Sequence, residues 1–461
     1  MKSPTILFAI AAVYFGTISC TKTEEKQPPN ILFIFADDWG FGDLGCYGST
    51  EVATPNLDKL ASQGTRYTQF HVTSGVCSPS RASVITGHFP ARHRVHGHFA
   101  GNEVNAKRGM PNWLDENLPV YLPRLMQEAG YTTAHIGKWH LGGGGEPNGD
   151  LSAPQPKLYG YNETRVWNGN GPTWSGDQLW PTTRYMDSDT LWVQSSSRIA
   201  VDATIDFMKR NKGKKPMFIN LWLKDPHTPL WPSDEQREPY KNKNLDPDKE
   251  TYFSVLTDAD LHIGRLMDAL SEMGLDDNTL VLFSSDNGPA HYPPALIAGS
   301  TGGLKGRKAD IFQGGVNVPF IVRWPGHVDA GEVENESVLS TVDLLPTFCE
   351  LAQIDLPESY LPDGESFSSI FENVPFERTK PLFWDWHFGR VSDNPTQVNQ
   401  WPENAVRYGE WKLYYNSKIE RTELYNIKYD RFEENDLAGN NPEKVAELME
   451  LLVSWKSGLP M

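Results

Sequence analysis

Asn30-Ile-Leu-Phe-Ile-Phe-Ala-Asp-Asp38 (NILFIFADD) is an apolar run, Ile31 to Phe35, that ends in two adjacent carboxylates. A short continuous apolar run closed by polar residues reads as a strand buried on both faces, the kind found in parallel sheets. The same grammar recurs along the chain. YTTAHIG (131–137) runs into Lys138 and His140, MFINLWL (217–223) is followed by His227, and NTLVLF (278–283) is followed by Asp286-Asn287; PFIVRW (319–324) is one more such run. Helical patterns lie between them. Thr54-Pro55 opens one that Gly64 stops, Ser80–Thr86 is a short one before Gly87, and Leu118–Ala129 is closed by Gly130. Another lies around Ile199–Arg210. A long one, from about Glu250 to Met273, sets Val255, Ala259, Ile263, Leu266, Met267 and Leu270 on one face. Strands alternating with helices, with polar residues at strand ends, predict an α/β core whose site lies at the carboxyl edge of the sheet.

Two stretches break this rhythm. Residues 141–195 are dense in Gly, Asn, Trp and Asp with weak periodicity and read as an elaborated surface loop region. From about residue 376, PLFWDW, AVRYGEWKLYY and ELYNI read as short strands before a helix around 442–456, so a smaller α+β unit with an antiparallel sheet is expected over 376–461. The catalytic domain is then 30–375. Residues 1–19 read as a signal peptide: Lys2 precedes the apolar Ile6–Phe15, which is too short to span a bilayer. Gly16-Thr17-Ile18-Ser19-Cys20 resembles the lipobox of bacterial lipoproteins, with Thr17 where Leu is usual. Residues 20–29 then form a polar, Pro-ended tether. This reading exports the protein to the periplasm or outer membrane and attaches it to a membrane only through lipid on Cys20.

At 461 residues, two packed domains are the natural expectation. Lys and Arg number 42 against 59 Asp and Glu, a net charge of −17, which excludes a nucleic-acid surface but not a small anionic substrate in a locally basic cleft. Past Cys20 only Cys46, Cys77 and Cys349 occur, which is no disulfide framework; a Cys46–Cys349 bridge stays open.

Cys77 stands in CSPSRASVITG. A Cys beside Pro and Ser is most often a small buried residue, and a thiol nucleophile needs a partnered base. Asp37-Asp38 and Asp286-Asn287 taken singly are ordinary turn or cap residues. Because each pair ends an apolar run, both can enter one crevice, and their oxygen donors suit Ca²⁺ or Mg²⁺ rather than a thiophilic metal. Lys138, His140 and His227 occupy equivalent strand-end positions. Taken together, CSPSR, these acidic pairs, GKWHLG, DPHTP and Arg307-Lys308…QGG resemble the type I sulfatase family, in five motifs over roughly residues 28–330. TVDLLPTFCELA (341–352) and ELYNI…NDLAG (423–439) continue the likeness.

The resemblance implies an alkaline-phosphatase-like mixed sheet sandwiched by helices, with the smaller C-terminal domain. It implies oxidation of Cys77 to formylglycine by a formylglycine-generating or anaerobic sulfatase-maturating enzyme. It also implies one divalent cation, Ca²⁺ with Mg²⁺ as the alternative, on Asp37, Asp38, Cys77, Asp286 and Asn287. Arg81, Lys138 and Lys308 would clamp sulfate, with Lys305 the nearby competitor for the last role. One hydroxyl of the hydrated aldehyde would attack sulfur, His227 would protonate the departing alcohol, and His140 would deprotonate the second hydroxyl so that sulfate is expelled. Asn317 stands where the family more often has Arg. A sulfated polysaccharide or oligosaccharide is the expected substrate. Trp167, Trp174, Trp180 and Trp192 are candidate sugar platforms, with loop packing as the plain alternative. The basic run Arg92, His93, Arg94, His96 and His98 is either a reader of anionic sugar groups or a solvated loop. The competing functions are a general aryl sulfatase, a phosphomonoester or phosphonate hydrolase of the same superfamily, and a non-catalytic sugar-binding protein.

Overall fold

The computed structural model describes Met1 and residues 28–143, 152–168, 171–175, 178–179, 190–386 and 401–460. The signal segment and Cys20 lie outside the described residues, and among those described no helix is long and apolar enough to cross a membrane.

Eleven strands form the main sheet: β1 (Asn30–Ala36), β2 (Thr65–His71), β3 (Thr132–Lys138), β4 (Glu163–Asn168), β5 (Gly171–Ser175), β6 (Gln178–Leu179), β7 (Met217–Trp222), β8 (Thr279–Ser285), β9 (Asn317–Arg323), β10 (Glu332–Glu334) and β11 (Leu339–Ser340). Their order is β10-β2-β9-β8-β1-β7-β3-β4-β5-β6, with β11 also on β2. The central four, β8, β1, β7 and β3, are parallel; β9 and β5 run against their inner neighbours.

Along β1 the side chains alternate between two cores. Ile31, Phe33 and Phe35 enter one with α2 (Cys77–Thr86), while Leu32, Ile34 and Ala36 enter the other with α1 (Pro55–Ser62) and the long helix Pro247–Glu272. All seven β1 residues are buried, at about 1.5–3 kcal/mol for each large apolar side chain. Burial on both faces is why no polar alternation marks this strand. The register sets Ala36 beside Ser285, so the acidic pairs that follow β1 and β8 leave the sheet side by side.

The long helix begins at Pro247 with Asp246 as its cap and buries Val255, Ala259, Ile263, Leu266 and Leu270, with Met267 half-buried. The region read as surface loop is corrected within the described residues. Residues 163–168 pair in parallel with β3, β5 and β6 extend the sheet, and a helix runs Thr190–Asn211. Thr164 and Val166 are the buried alternates of β4, a two-residue signal too short to stand out beside Glu163 and Arg165. The side chains of residues 167–193, and with them the four candidate tryptophans, lie outside the described set. Cys46, Cys77 and Cys349 are free thiols.

A second, four-stranded antiparallel sheet comprises β12 (Leu382–Asp385), β13 (Asn404–Tyr408), β14 (Trp411–Asn416) and β15 (Arg421–Asn426), flanked by a helix at Pro442–Ser457. AVRYGEWKLYY is a hairpin that turns at Gly409 (φ 57°). Phe383 stacks on Trp455, and the Trp384 indole donates to the Val72 carbonyl at 2.8 Å, docking this sheet on the main body.

Candidate active site

Four parallel strand ends, the first turn of α2 and one loop converge on a single buried crevice. Asp37 and Asp38 follow β1, Lys138 ends β3 with His140 two residues on, His227 follows β7, and Asp286-Asn287 follow β8. Cys77 opens α2, and Lys308 lies in the loop before β9. The helix starts at Cys77 rather than at Ser80, which places Cys77 and Arg81 one turn apart on the same face.

The residues around Cys77 form a closed circuit of contacts. Its Sγ is 3.1 Å from His140 Nδ1; His140 Nε2 donates to the Phe99 carbonyl at 3.1 Å; and Ser78 Oγ accepts the Phe99 amide at 3.0 Å. With Nε2 committed to a carbonyl, Nδ1 offers its lone pair to residue 77. Burial, with help from Lys138 and Arg81, holds the His140 imidazole well below its usual range, so it is neutral. Ser80 donates to the Ser74 carbonyl and Ser83 contacts Thr341, so the serines of the motif fasten the helix in place.

Each carboxylate faces a cation. Arg81 donates twice to Asp286 Oδ2, at 2.9 and 2.6 Å, while its plane packs over Phe35 and Trp222. Lys138 donates to Asp37, and Lys308 donates to Asp38 at 2.7 Å. Burial raises the Asp37 carboxyl, but Lys138, His227 and Arg81 outweigh it and hold the group well below the usual carboxylate range. Burial likewise depresses Lys308, and Asp38 more than restores it, so this ammonium stays protonated. Two buried oxygens, Asp37 Oδ1 and Asn287 Oδ1, have no hydrogen-bond partner. Such orphans are costly inside a protein unless a ligand satisfies them. Ligating atoms of Asp37, Cys77 and Asp286 lie within 4.8 Å of one another, as do those of Asp37, Asp38 and His227. The donors are chiefly carboxylate and amide oxygens, which fit one hard divalent cation.

Asp38 (φ 62°) and His140 (φ 54°) sit in the left-handed region, at roughly 1–3 kcal/mol each. The cost is borne where it aims a side chain. Asp38 is held there by its own amide, which donates to Asp286 Oδ1 at 3.2 Å.

Every residue named from the sequence for catalysis or metal therefore meets in this crevice. Of the two lysines, Lys308 enters the crevice and Lys305 turns away, donating to Tyr425 Oη at 3.0 Å in the C-terminal sheet. The basic run divides. Arg92 is held by Asp363 at 2.7 Å, His93 is 3.3 Å from His88, and His96 lies 3.7 Å from Asp385. His98 is half-buried, with its ring centroid 6.2 Å from that of His140. Two neighbours were passed over in the sequence. Lys224 donates to the His227 carbonyl at 2.7 Å, and the Tyr292 ring lies 5.8 Å from the Lys308 ammonium. Lys224 directly follows the run MFINLWL, and that strand-end position is the signal that could have found it, as it did Lys138; Tyr292, in a Pro-rich turn, carries no such pattern.

A family model described as "Sulfatase" matches residues 29–354, and one described as "N-sulphoglucosamine sulphohydrolase, C-terminal" matches 307–455. An N-acetylgalactosamine-6-O-sulfatase of Bacteroides thetaiotaomicron is 27% identical, covering 94% of this chain and 94% of the relative. Arylsulfatase A of Homo sapiens is 33% identical over 84% of this chain and 75% of its own length. Among solved structures, Ps i-CgsB in complex with k-i-k-neocarrahexaose superposes with a TM-score of 0.77 at 27% identity, covering 93% of both chains.

Proposed function

We propose a reaction from one premise: this chain belongs to the sulfatase family, within the alkaline-phosphatase-like superfamily. It is a sulfuric ester hydrolase. The substrate we infer is a sulfated polysaccharide or oligosaccharide, supported by relatives named as N-acetylgalactosamine-6-sulfatases and by the neighbour solved in complex with k-i-k-neocarrahexaose.

The observation that carries the site assignment is the Cys77–His140 contact, set beside three cations that converge on the same crevice. An aldehyde hydrate at residue 77 supplies what a thiol lacks, one hydroxyl to displace the alcohol at sulfur and a second to let the sulfate leave. A divalent cation held by Asp37, Asp38, residue 77, Asp286 and Asn287 would acidify that hydroxyl and neutralise charge on the sulfate. The protein does the rest. Arg81, Lys138 and Lys308 present preorganised positive charge to the three non-bridging oxygens. His140, neutral with Nδ1 facing residue 77, takes the proton whose loss releases sulfate. His227 Nδ1 donates to the Thr228 carbonyl at 2.8 Å, so Nε2 is the atom left for the crevice. Giving a proton from Nε2 requires the imidazolium, and the Lys308 ammonium beside it is the group that already carries one. The departing alcohol is thus served by the pair His227 and Lys308.

A maturating enzyme of the formylglycine type is the partner this reading requires. Export, with lipid on Cys20, follows from the lipobox-like segment. The test is turnover on a panel of position-defined sulfated saccharides by protein co-expressed with a maturating enzyme. The Cys77 peptide should show an aldehyde by mass spectrometry, and Cys77→Ala should lose about 10⁴-fold or more in kcat. A Cys77→Ala protein with wild-type turnover refutes the assignment, and an enzyme that prefers simple aryl sulfates refutes the sugar substrate alone.

A further inference from the structure

The loop that carries Lys308 is gripped from both sides. On the inner side its backbone bonds to the segments that hold two other parts of the site. The Ala309 amide donates to the Gly75 carbonyl at 2.7 Å, two residues before Cys77, and the Lys308 amide donates to the Pro289 carbonyl at 3.0 Å, two residues after Asn287. Gly288 donates to Gly315 at 2.9 Å, and a Cβ on Gly288 would stand 1.9 Å from the Gly314 carbonyl, so this close approach requires glycine at 288.

The outer grip comes from the C-terminal sheet and the turn that follows it. Lys412 donates to the Ile311 carbonyl at 3.0 Å, Glu433 Oε2 accepts the Gln313 amide at 3.0 Å, and Lys305 reaches Tyr425 Oη. Glu433 is buried, at φ 59°, with Tyr414 donating to its other oxygen and the Lys412 ammonium 4.0 Å away. Buried pairs of this kind are often no more stabilising than apolar side chains of equal volume, but they fix geometry. Here the geometry fixed is that of residues 305–313. Gly306 (φ 80°) and Ala309 (φ 70°) bend this segment so that Lys308 reaches Asp38.

We propose that Glu433 and Lys412 are positioning residues for the sulfate pocket: the C-terminal sheet clamps the 305–313 loop from outside and so sets where the Lys308 ammonium stands. The inference rests on the sulfatase reading for its consequence, since Lys308 is there a sulfate ligand. A displacement of about 1 Å at such a group is felt strongly in turnover.

The test compares matured wild type with Glu433→Ala, Glu433→Gln and Leu452→Ala, the last an apolar truncation in the C-terminal helix that removes none of these hydrogen bonds or ion pairs. Glu433→Ala should weaken inhibition by inorganic sulfate and lower kcat/KM about ten-fold. Glu433→Gln keeps an acceptor for the Gln313 amide and should recover most of both. Leu452→Ala should lower thermal stability without moving either value in the folded protein. Hydrogen exchange over residues 305–316 should quicken in Glu433→Ala and stay unchanged in Leu452→Ala. If Glu433→Ala does not fold, Lys305→Met loosens the same clamp from a half-exposed position and should show several-fold weaker sulfate inhibition. Native exchange together with native sulfate inhibition in these variants overturns the proposal. A wild type that turns over no sulfate ester overturns the sulfatase reading instead, and the exchange comparison still decides the clamp.

Discussion

Two buried charged clusters lie on opposite sides of the 305–313 loop, and they are built differently. The crevice cluster sets three carboxylates against three cations, all projecting from strand ends, a helix start and a loop, and it leaves Asp37 Oδ1 and Asn287 Oδ1 without protein partners. The C-terminal cluster, formed by His71, Gln313, Arg407, Lys412, Tyr414 and Glu433, sits where one sheet docks on another. Lys412 donates to a carbonyl and lies 4.0 Å from Glu433, whose two oxygens accept from Gln313 and Tyr414, and Arg407 reaches Gln69 and His71. Charge that is meant to hold an incoming group is left incompletely satisfied. Charge that is meant to fix a joint is closed by the protein itself.

The contrast is sharpest under chelation. Stripping divalent cations should cost the matured enzyme about 100-fold or more in turnover, with recovery on adding Ca²⁺. Saturating Ca²⁺ at 100 times its Kd should stabilise the folded chain by about 2.7 kcal/mol in thermal unfolding. Asp37→Asn should lose both responses; a variant that retains both would mean that the crevice is not a cation site. In the joint, Lys412→Met should destabilise by about 3 kcal/mol in denaturant unfolding because buried Glu433 loses the cation 4.0 Å from it. Adding Glu433→Gln should restore more than half of that. A double variant no better than the single one would show that charge pairing does not hold the joint.

The smallest effect is one of pH. Burial, reinforced by Arg407 and Lys412, keeps His71 well below its usual range, so the folded protein holds this ring neutral. Below about pH 6.5 the unfolded chain takes up a proton that the folded chain refuses. Stability from His71 is therefore present above that pH and lost as pH falls, by up to about 1.4 kcal/mol per unit. His71→Gln should flatten this limb between pH 6.5 and 5, and an unchanged slope would show that His71 carries none of it.

What was legible in the sequence divides along the same line. Asp37, Lys138, His227 and Asp286 could be placed because each lies at or just past the end of a run that reads as a strand, and parallel strands buried on both faces leave only their ends for polar chemistry. Cys77 and Arg81 were found through a motif, yet the helix start was read three residues late because Ser78 and Pro79 carry no periodicity. Their reason is tertiary: Ser78 is bonded to Phe99. β2, in TRYTQFH, went unread because its large apolar residues, Tyr67 and Phe70, stand three apart across a register shift and break the two-residue period, while its partner β9 lies 246 residues or more away in sequence. The joint was illegible for a stronger reason. Lys412 and Glu433 look like surface residues, and only the docking of a second sheet buries them.

The central place of β1 sets a timetable for assembly. The strand nearest the start of the described body pairs with β7 and β8, and its Asn30 side chain meets Thr279 across 249 positions of chain. At the usual rate of synthesis those positions take roughly 10–50 s to emerge. Throughout that interval a strand of five large apolar residues has no partner on the β8 side. Such non-local pairing makes folding slow and leaves an edge open to other chains. Yield of this protein should therefore depend on what shields Ile31 to Phe35 until Thr279 to Ser285 arrives, and slowing synthesis without a chaperone should shift the product from soluble protein to aggregate.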